Sequence, residues 1–362
     1  MSQRIYNFSA GPAVLPESVL DQAAEAVKEI GGSGMSLLEV SHRGKHYDAI
    51  HSDAEARLLK TLGLNDEEYV PLFLQGGASL QFAMLPMNIL GAGDVADYIV
   101  SGDWGAKALK EAKTIGDARE AASSKADKYA FIPKQFTQTP GAKYIHITTN
   151  NTIEGTEYFD LPDVGDTPLV ADSSSDIFAV DRDNSRFSFI YMGAQKNAGP
   201  SGVTMVVARR SFLEGARKDI PTILSYKTHV DSHSLYNTPP TFGIFVVNEV
   251  FKWIEAQGGV AAVEQNNRRK AQILYSALDE NDGVYETAVT AKEDRSLMNV
   301  TWRLRNPDLE AELLAEAKTA KLDGLKGHRS VGGFRASIYN AFPEKGVQVL
   351  ADLLRDFAQR KG

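Results

Sequence analysis

An α/β fold with a smaller α+β unit at its C-terminal end is what this sequence predicts, on three observations. Short runs that are apolar at nearly every position recur as far as Ala208, as expected of strands covered on both faces in a largely parallel sheet. Stretches of helical periodicity alternate with those runs and supply the covering layers. Beyond residue 258 the pattern changes to an alternating strand and amphipathic helices, which describe a compact α+β unit.

The elements follow in chain order. Pro16 opens a helix in which Val19, Leu20, Ala23, Val27 and Ile30 recur at helical spacing, and Gly31-Gly32 stop it. Strands are predicted at VPLFL (70–74), VADYIV (95–100), YIHITT (144–149), PLVAD (168–172), FSFIYMG (187–193) and VTMVVA (203–208). Residues 114–143 have weak periodicity and read as irregular surface structure. Residues 242–257 are apolar nearly all round and close on Gly258-Gly259, so they read as a buried helix leaving the first domain. The expected division is an N-terminal segment (1–15), a large domain (16–258) and a small C-terminal domain (259–362). In the last of these come a polar helix around 262–280, the strand SLMNVTWRL (296–304) and a helix near 308–320. The strand FRASIY (334–339) and a final helix carrying Val347, Leu350, Leu354 and Phe357 complete it.

Composition removes several classes of function. The chain has 362 residues, 43% hydrophobic and 24% charged, enough for one large core and a second domain. It contains no cysteine, which excludes disulfides, thiolate nucleophiles, zinc–thiolate sites and cysteine-held iron–sulfur clusters. A net charge of -8 argues against broad nucleic-acid binding, and the doublets Arg209-Arg210 and Arg268-Arg269 are too short to reverse it. The first residues lack an apolar stretch of signal-peptide length, and no run approaches the roughly 18 apolar residues of a membrane span. A cytoplasmic location is the expectation.

The chemistry centres on YMGAQKNAGPSG (191–202), where Lys196 follows an apolar strand and is surrounded by small residues. Small neighbours let a bulky partner approach, and a partly desolvated amine becomes a better nucleophile toward carbonyls, which is Schiff-base chemistry. Taken alone, an exposed turn lysine is the simpler explanation, so the partners decide. Asp172 ends the strand PLVAD, where a buried carboxylate needs a cation; a protonated pyridine nitrogen would serve, and capping of its own turn with Ser173, Ser174 and Ser175 is the competing explanation. In LQGGASLQF, Gly76-Gly77 permit a tight turn and close backbone approach before a helix whose free N–H groups would hold a phosphate. That turn matches neither the P-loop nor the dinucleotide fingerprint. Trp104, in SGDWG after the strand VADYIV, offers a flat face for a ring or a place in the core. A phosphate cup, an aromatic platform, a carboxylate for a ring nitrogen and a Schiff-base lysine, each at a strand end, together describe a site for pyridoxal 5'-phosphate.

The segments NFSAGPA, EVSHRGK, GGASLQF, ADSSSDI, GAQKNAGPSG, YNTPPTF and KGHRSVGGFRASIYNA, spread from residue 7 to residue 341, resemble the phosphoserine aminotransferase family. The resemblance implies the class-V, fold-type I architecture of pyridoxal-phosphate enzymes: a large domain around a mostly parallel seven-stranded sheet, a small α+β C-terminal domain, and a homodimer with active sites at the subunit interface. It implies that the N-terminal segment belongs with the small domain and the active site. It also implies glutamate and 3-phosphohydroxypyruvate as substrates, with phosphoserine and 2-oxoglutarate as products, and extends to the longer phosphorylated keto acid of pyridoxine biosynthesis. By motif, Lys196 carries the Schiff base, Asp172 pairs with the pyridinium nitrogen and Trp104 stacks on the ring, with Thr152 beside the ring hydroxyl. Ala78, Ser79 and Gln195 bind the cofactor phosphate, joined by Asn237 and Thr238 from the other subunit. Some members carry Gly-Arg in place of Ala78-Ser79, so a contact made by that arginine is missing or replaced here.

Charge bears on the substrate. His42-Arg43, His328-Arg329 and Arg335 stand near glycine-rich turns, and arginine forks match carboxylate and phosphate oxygens, which suits a substrate anionic at both ends. Without the resemblance, solvated surface pairs or intersubunit salt bridges explain the doublets as well. The resemblance gives Arg335 to the α-carboxylate, His328 and Arg329 to the phosphate or side-chain carboxylate with His42 and Arg43 from across the dimer, and Ser9 to the substrate site. Ping-pong kinetics are expected. Among rivals, a desulfurase on this fold lacks its cysteine; an aminotransferase using serine or alanine with glyoxylate and a non-enzymatic anion-binding protein predict different substrates and a colourless preparation, respectively.

Overall fold

The computed structural model describes residues 4–362. The apolar runs form a central sheet from β2 (Tyr69–Leu74), β3 (Val95–Val100), β4 (Asp117–Ser123), β5 (Ile145–Thr148), β6 (Leu169–Asp172), β7 (Phe187–Gly193) and β8 (Thr204–Arg209), after a short β1 (Tyr6–Asn7). Its order is β2-β8-β7-β6-β5-β3-β4. The β3–β4, β3–β5, β5–β6 and β6–β7 pairs are parallel, and β8 alone runs antiparallel to its neighbours, β7 and β2. This is the mostly parallel seven-stranded sheet expected, and each of the six strands predicted for it agrees with the observed one to within one residue at either end; in the C-terminal part the strands predicted at 296–304 and 334–339 are shorter, at Asn299–Leu304 and Phe334–Ser337.

One strand was not expected. Residues 114–143, read as irregular, contain β4, whose sequence DAREAAS lacks the β-branched and aromatic residues that mark strands. It sits at the rim of the sheet with β3 on one side, so backbone pairing to that neighbour overrides weak propensity.

The helices of this part are α1 (Glu17–Lys28), α2 (Lys45–Leu62), α3 (Gly77–Ile89), α4 (Asp103–Ala112), α5 (Arg210–Glu214), α6 (Tyr226–Asp231) and α7 (Thr241–Ala256). Because strand side chains alternate, each strand feeds two apolar layers. On one face Phe73, Ile145, Ile147, Ile190 and Met205 pack against α1, α2 and α7; on the other Leu72, Tyr98, Val170, Phe189 and Val206 pack against α3, α4 and α6. In α1 the buried face is narrower than its sequence stripe: Val19, Ala23 and Ala26 point inward, while Leu20 and Val27 are each 39% exposed.

The remaining chain forms α8 (Val260–Asp279), β9 (Tyr285–Thr287), β10 (Asn299–Leu304), α9 (Glu310–Thr319), β11 (Leu322–Asp323), β12 (Phe334–Ser337) and α10 (Glu344–Lys361). An antiparallel sheet of order β12-β10-β9 packs on α8 and α10 around Trp302, Phe334, Leu350, Leu354 and Phe357. The N-terminal segment crosses to this cluster: β1 pairs in parallel with β11, and Phe8 is fully buried there. Among the described residues no helix is long and apolar enough to cross a membrane.

For the site, what matters is strand direction. The strands β2, β3, β5, β6 and β7 share one direction, so the segments leaving their C-terminal ends converge on one edge of the sheet, where α/β folds place ligands.

Candidate active site

Lys196 stands in the turn between β7 and β8, which coils on itself through bonds from the N–H groups of Ala198 and Gly199 to the Ala194 carbonyl, at 3.1 and 2.8 Å. The small residues around it have packing reasons of their own. A Cβ on Gly199 would lie 2.6 Å from Val247 of α7, and one on Gly193 would meet the Gln195 amide. Smallness here lets α7 and Gln195 close in behind the lysine, rather than clearing space for a ligand as the sequence suggested. The ligand side is opened by Gly11, whose missing Cβ would stand 3.5 Å from the Lys196 side chain.

Lys196 faces a cleft of about 330 Å³ lined also by Asp172, Ala78, Ser79, Trp104, Thr152, Gln195, His328 and Arg335. Among the described residues no hydrogen bond or ion pair engages its amine. Burial lowers its pKa, and the Asp172 charge works in the opposite direction. Asp172, at the end of β6, caps its own turn with one carboxylate oxygen and leaves the other uncommitted. Its Oδ1 accepts from the Ser174 N–H (3.0 Å) and hydroxyl (2.6 Å), which caps the turn. Its Oδ2 is left without a donor among the described residues, inside a site where burial raises the carboxyl pKa. Such a carboxylate is stabilised by a cation brought in from outside.

The other three parts surround this pair. Gly76 (φ +92°) and Gly77 (φ +66°) turn the chain from β2 into α3, which has no side-chain cap. The N–H groups of Gly77, Ala78 and Ser79 therefore point outward without acceptors in the chain, an anion site at a helix N-terminus. Trp104, in the first turn of α4, is fixed by a 3.0 Å bond from its Nε1 to the Thr152 hydroxyl, and the Lys196 amine lies 5.8 Å from its ring centre. Arg335 on β12 donates from one Nη to the Thr152 carbonyl at 2.8 Å, while its buried Nε has no partner. Burial lowers the pKa of this guanidinium, so an anion in the cleft would find an underused cation. His328 is held by Ser330 at 2.7 Å, and its pKa is lowered by burial, then by Arg335, Lys107 and Arg329.

Six expected residues do not line this cleft. Ser9 is close by in the chain but packs against Gly324, and Arg329 is exposed beside His328. His42 and Arg43 occupy the turn before α2, where the His42 Nε2 is buried without a partner and Arg43 is exposed. Asn237 and Thr238 are exposed, and Asn237 borders a separate pocket with Pro239 and Pro240. Residues that the sequence reading missed include Ala10, Gly11, Phe82, Thr148 and Asn150 on the cleft wall. The Gly-Pro pair in NFSAGPA was the signal available for the first two. Behind Trp104 lies Glu154, whose Oε1 accepts from the Asp103 N–H at 2.8 Å and whose Oε2 is buried and unpartnered.

These groups fit pyridoxal phosphate: an uncommitted amine for its aldehyde, the free Asp172 oxygen for its ring nitrogen, an indole beside the amine and unpaired N–H groups for its phosphate. That set of contacts on this fold defines a pyridoxal-phosphate-dependent transferase, and the chain belongs to the class-V aminotransferases, whose family model (Aminotransferase class-V) matches residues 5–350. Within that family the similarity runs full length to phosphoserine aminotransferases. The chain is 52% identical over 364 residues to the phosphoserine aminotransferase of Lysinibacillus sphaericus, covering 99% of each. The solved phosphoserine aminotransferase from Bacillus circulans subsp. alkalophilus superposes with a TM-score of 0.97 at 48% identity, over all of both chains. The pyridoxal-phosphate-bound enzyme from Trichomonas vaginalis, 36% identical, superposes with a TM-score of 0.91 over 97% of this chain and 100% of that one.

Proposed function

We propose that this chain transfers the amino group of glutamate to 3-phosphohydroxypyruvate, giving phosphoserine and 2-oxoglutarate, with pyridoxal 5'-phosphate bound at Lys196. The observation that carries the reading is the buried, uncommitted Lys196 amine in one cleft with the Asp172 Oδ2, the bare N-terminus of α3 and the Arg335 guanidinium. The phosphoserine aminotransferases similar over the full length support the substrate pair.

When bound, pyridoxal phosphate supplies an electron sink for the negative charge that develops at the substrate α-carbon. The chain's own residues do the rest. Asp172 Oδ2 holds the proton of the ring nitrogen, and the turn built on Ser174 keeps that carboxylate aimed. Lys196 Nζ, with its pKa lowered by burial, is the general base that takes the proton from the α-carbon. The N–H groups of Gly77, Ala78 and Ser79 bind the cofactor phosphate, with Gln195 beside them, and Trp104 braces the ring from its Thr152 anchor. Arg335 takes the α-carboxylate common to both substrates; His328 and Arg329 take the distal anion.

The same proposal includes a homodimer in which His42, Arg43, Asn237 and Thr238 of one subunit complete the site of the other. It also includes Ser9 at the substrate site, division of the chain at residues 15 and 258, and a cytoplasmic location. The absence of all four from the lining of their own cleft, with Arg43, Asn237 and Thr238 exposed, supports the first of these. The test is borohydride reduction of the purified holoenzyme followed by peptide mass spectrometry, with stopped-flow spectra on adding phosphoserine or alanine. A pyridoxyl adduct on Lys196 and a rapid spectral change with phosphoserine are expected. An adduct on another lysine, or a preference for alanine, would overturn the proposal.

A further inference from the structure

Lys270 is 2% exposed, in the middle of α8, and does not line the cleft around Lys196. Its amine donates to the carbonyls of Tyr339 (2.7 Å), Ile338 (2.9 Å) and Phe342 (3.2 Å), with the Asn340 carbonyl at 3.5 Å. All four belong to the connection from β12 to α10. A neutral amine has two N–H donors, so three such bonds at once require the ammonium form. Burial nevertheless lowers its pKa to about 7, and the charge of Glu344, at the start of α10, works in the opposite direction. The amine is the donor that satisfies the Ile338, Asn340 and Phe342 carbonyls, which have no other among the described residues, so its removal frees this connection from α8.

The gripped connection leads to the site. The Asn340 N–H donates to Asn197 Oδ1 at 3.0 Å, and Asn197 is the residue after Lys196. Asn197 Nδ2 in turn reaches the Ser175 carbonyl at 3.1 Å, on the cleft wall. One turn before Lys270, Asn267 bonds the Asn340 side chain at 2.8 Å, and the other end of that amide donates to the Phe178 carbonyl at 3.0 Å. The Tyr339 hydroxyl donates to the Ala10 carbonyl at 2.8 Å, a second cleft-wall contact. Lys270 and Asn267 thus clamp a short segment that touches the lysine loop on one side and the N-terminal wall of the cleft on the other. Asn197, Asn267 and Asn340 are all buried, so no water competes for these bonds.

We infer that Lys270 is a positioning residue for Lys196, acting through the carbonyls of residues 338–342, the Asn340 N–H and the Asn197 side chain. The inference rests on Lys196 being the cofactor lysine, which the borohydride experiment on the parent protein decides independently. The ionisable groups that face Lys196 itself are Asp172, Arg335 and Asp176, and none of them is altered by substituting Lys270.

The test is Lys270→Met in the holoenzyme. Misplacement of the base predicts kcat lower by about 10- to 100-fold with KM for glutamate within about twofold. The pH midpoint of the cofactor's visible band should move. Without cofactor, amides 194–199 should exchange hydrogen faster than in the parent. Asn197→Ala should reproduce these effects, and the double variant should be no worse than the poorer single one, since both cut one chain of contacts. If Lys270→Met does not fold, Lys270→Gln, which keeps two donors without the charge, takes its place. A folded variant with parental kcat, band midpoint and amide exchange overturns the inference, as does additivity with Asn197→Ala.

Discussion

Burial pushes the Glu154 carboxyl up to about 7 from its usual 4.5, with Asp103 adding to the rise and Lys107 and the Asp103 N–H opposing it. Tyr129 and Arg335 are further ionisable groups within its field. The folded protein keeps this proton while an unfolded chain has released it. Stability is therefore fully present below about 4.5 and declines as pH rises through 7. Glu154→Gln carries no such penalty. Its urea-unfolding free energy should match the parent near pH 4.5 and exceed it by about 1 to 3 kcal/mol at pH 8. A difference that stays flat across that window would assign the titration elsewhere. Lys196 and Asp172 were legible in the sequence because each ends an apolar run and sits among telling neighbours. Glu154 and Lys270 were not, because their partners lie at Asp103 and residues 338–342, distances along the chain that no local pattern spans.

Among elements, the start of α3 carries a demanding geometry. A Cβ on Gly76 would lie 2.6 Å from the Leu80 side chain at a φ of +92°, whereas one on Gly77 meets open space at a φ of +66°. Gly77→Ala should cost about 1 kcal/mol from backbone strain alone, and Gly76→Ala about 2 to 4 kcal/mol because Leu80 must also move. Melting of the cofactor-free proteins gives this ranking, and equal losses would contradict it. Both should weaken cofactor binding, read by titration with pyridoxal phosphate, because both alter the N–H groups that receive the phosphate. The sequence disclosed this turn and the six apolar strands, since burial on both faces leaves a compositional mark. It hid β4, where Asp117, Arg119 and Glu120 are exposed and pairing with β3 decides the conformation. It also gave the wrong reason for Gly199, whose neighbour Val247 comes from a helix 48 positions on.

At the scale of the molecule, the proposed site is split between two chains. Lys196 lines the cleft, while Arg43 is exposed in a turn that does not reach it. Lys196→Ala and Arg43→Ala should each be inactive or severely impaired alone. Mixed by co-expression, they should recover about a quarter of parental activity, because half of randomly paired dimers would hold one site with both residues intact. No recovery in demonstrably mixed dimers would return both residues to one subunit. The rim of the sheet bears on how such copies meet. Along β4, Asp117 and Arg119 pair with each other in the open, through two bonds at 2.6 and 3.2 Å, and Glu120 stands beside them. A second β4 laid alongside would have to strip hydration from these charges, so edge-to-edge growth into a ribbon shared between molecules is disfavoured at this border. The charged border thus guards a concentrated solution of the protein against fibrous precipitation through this strand.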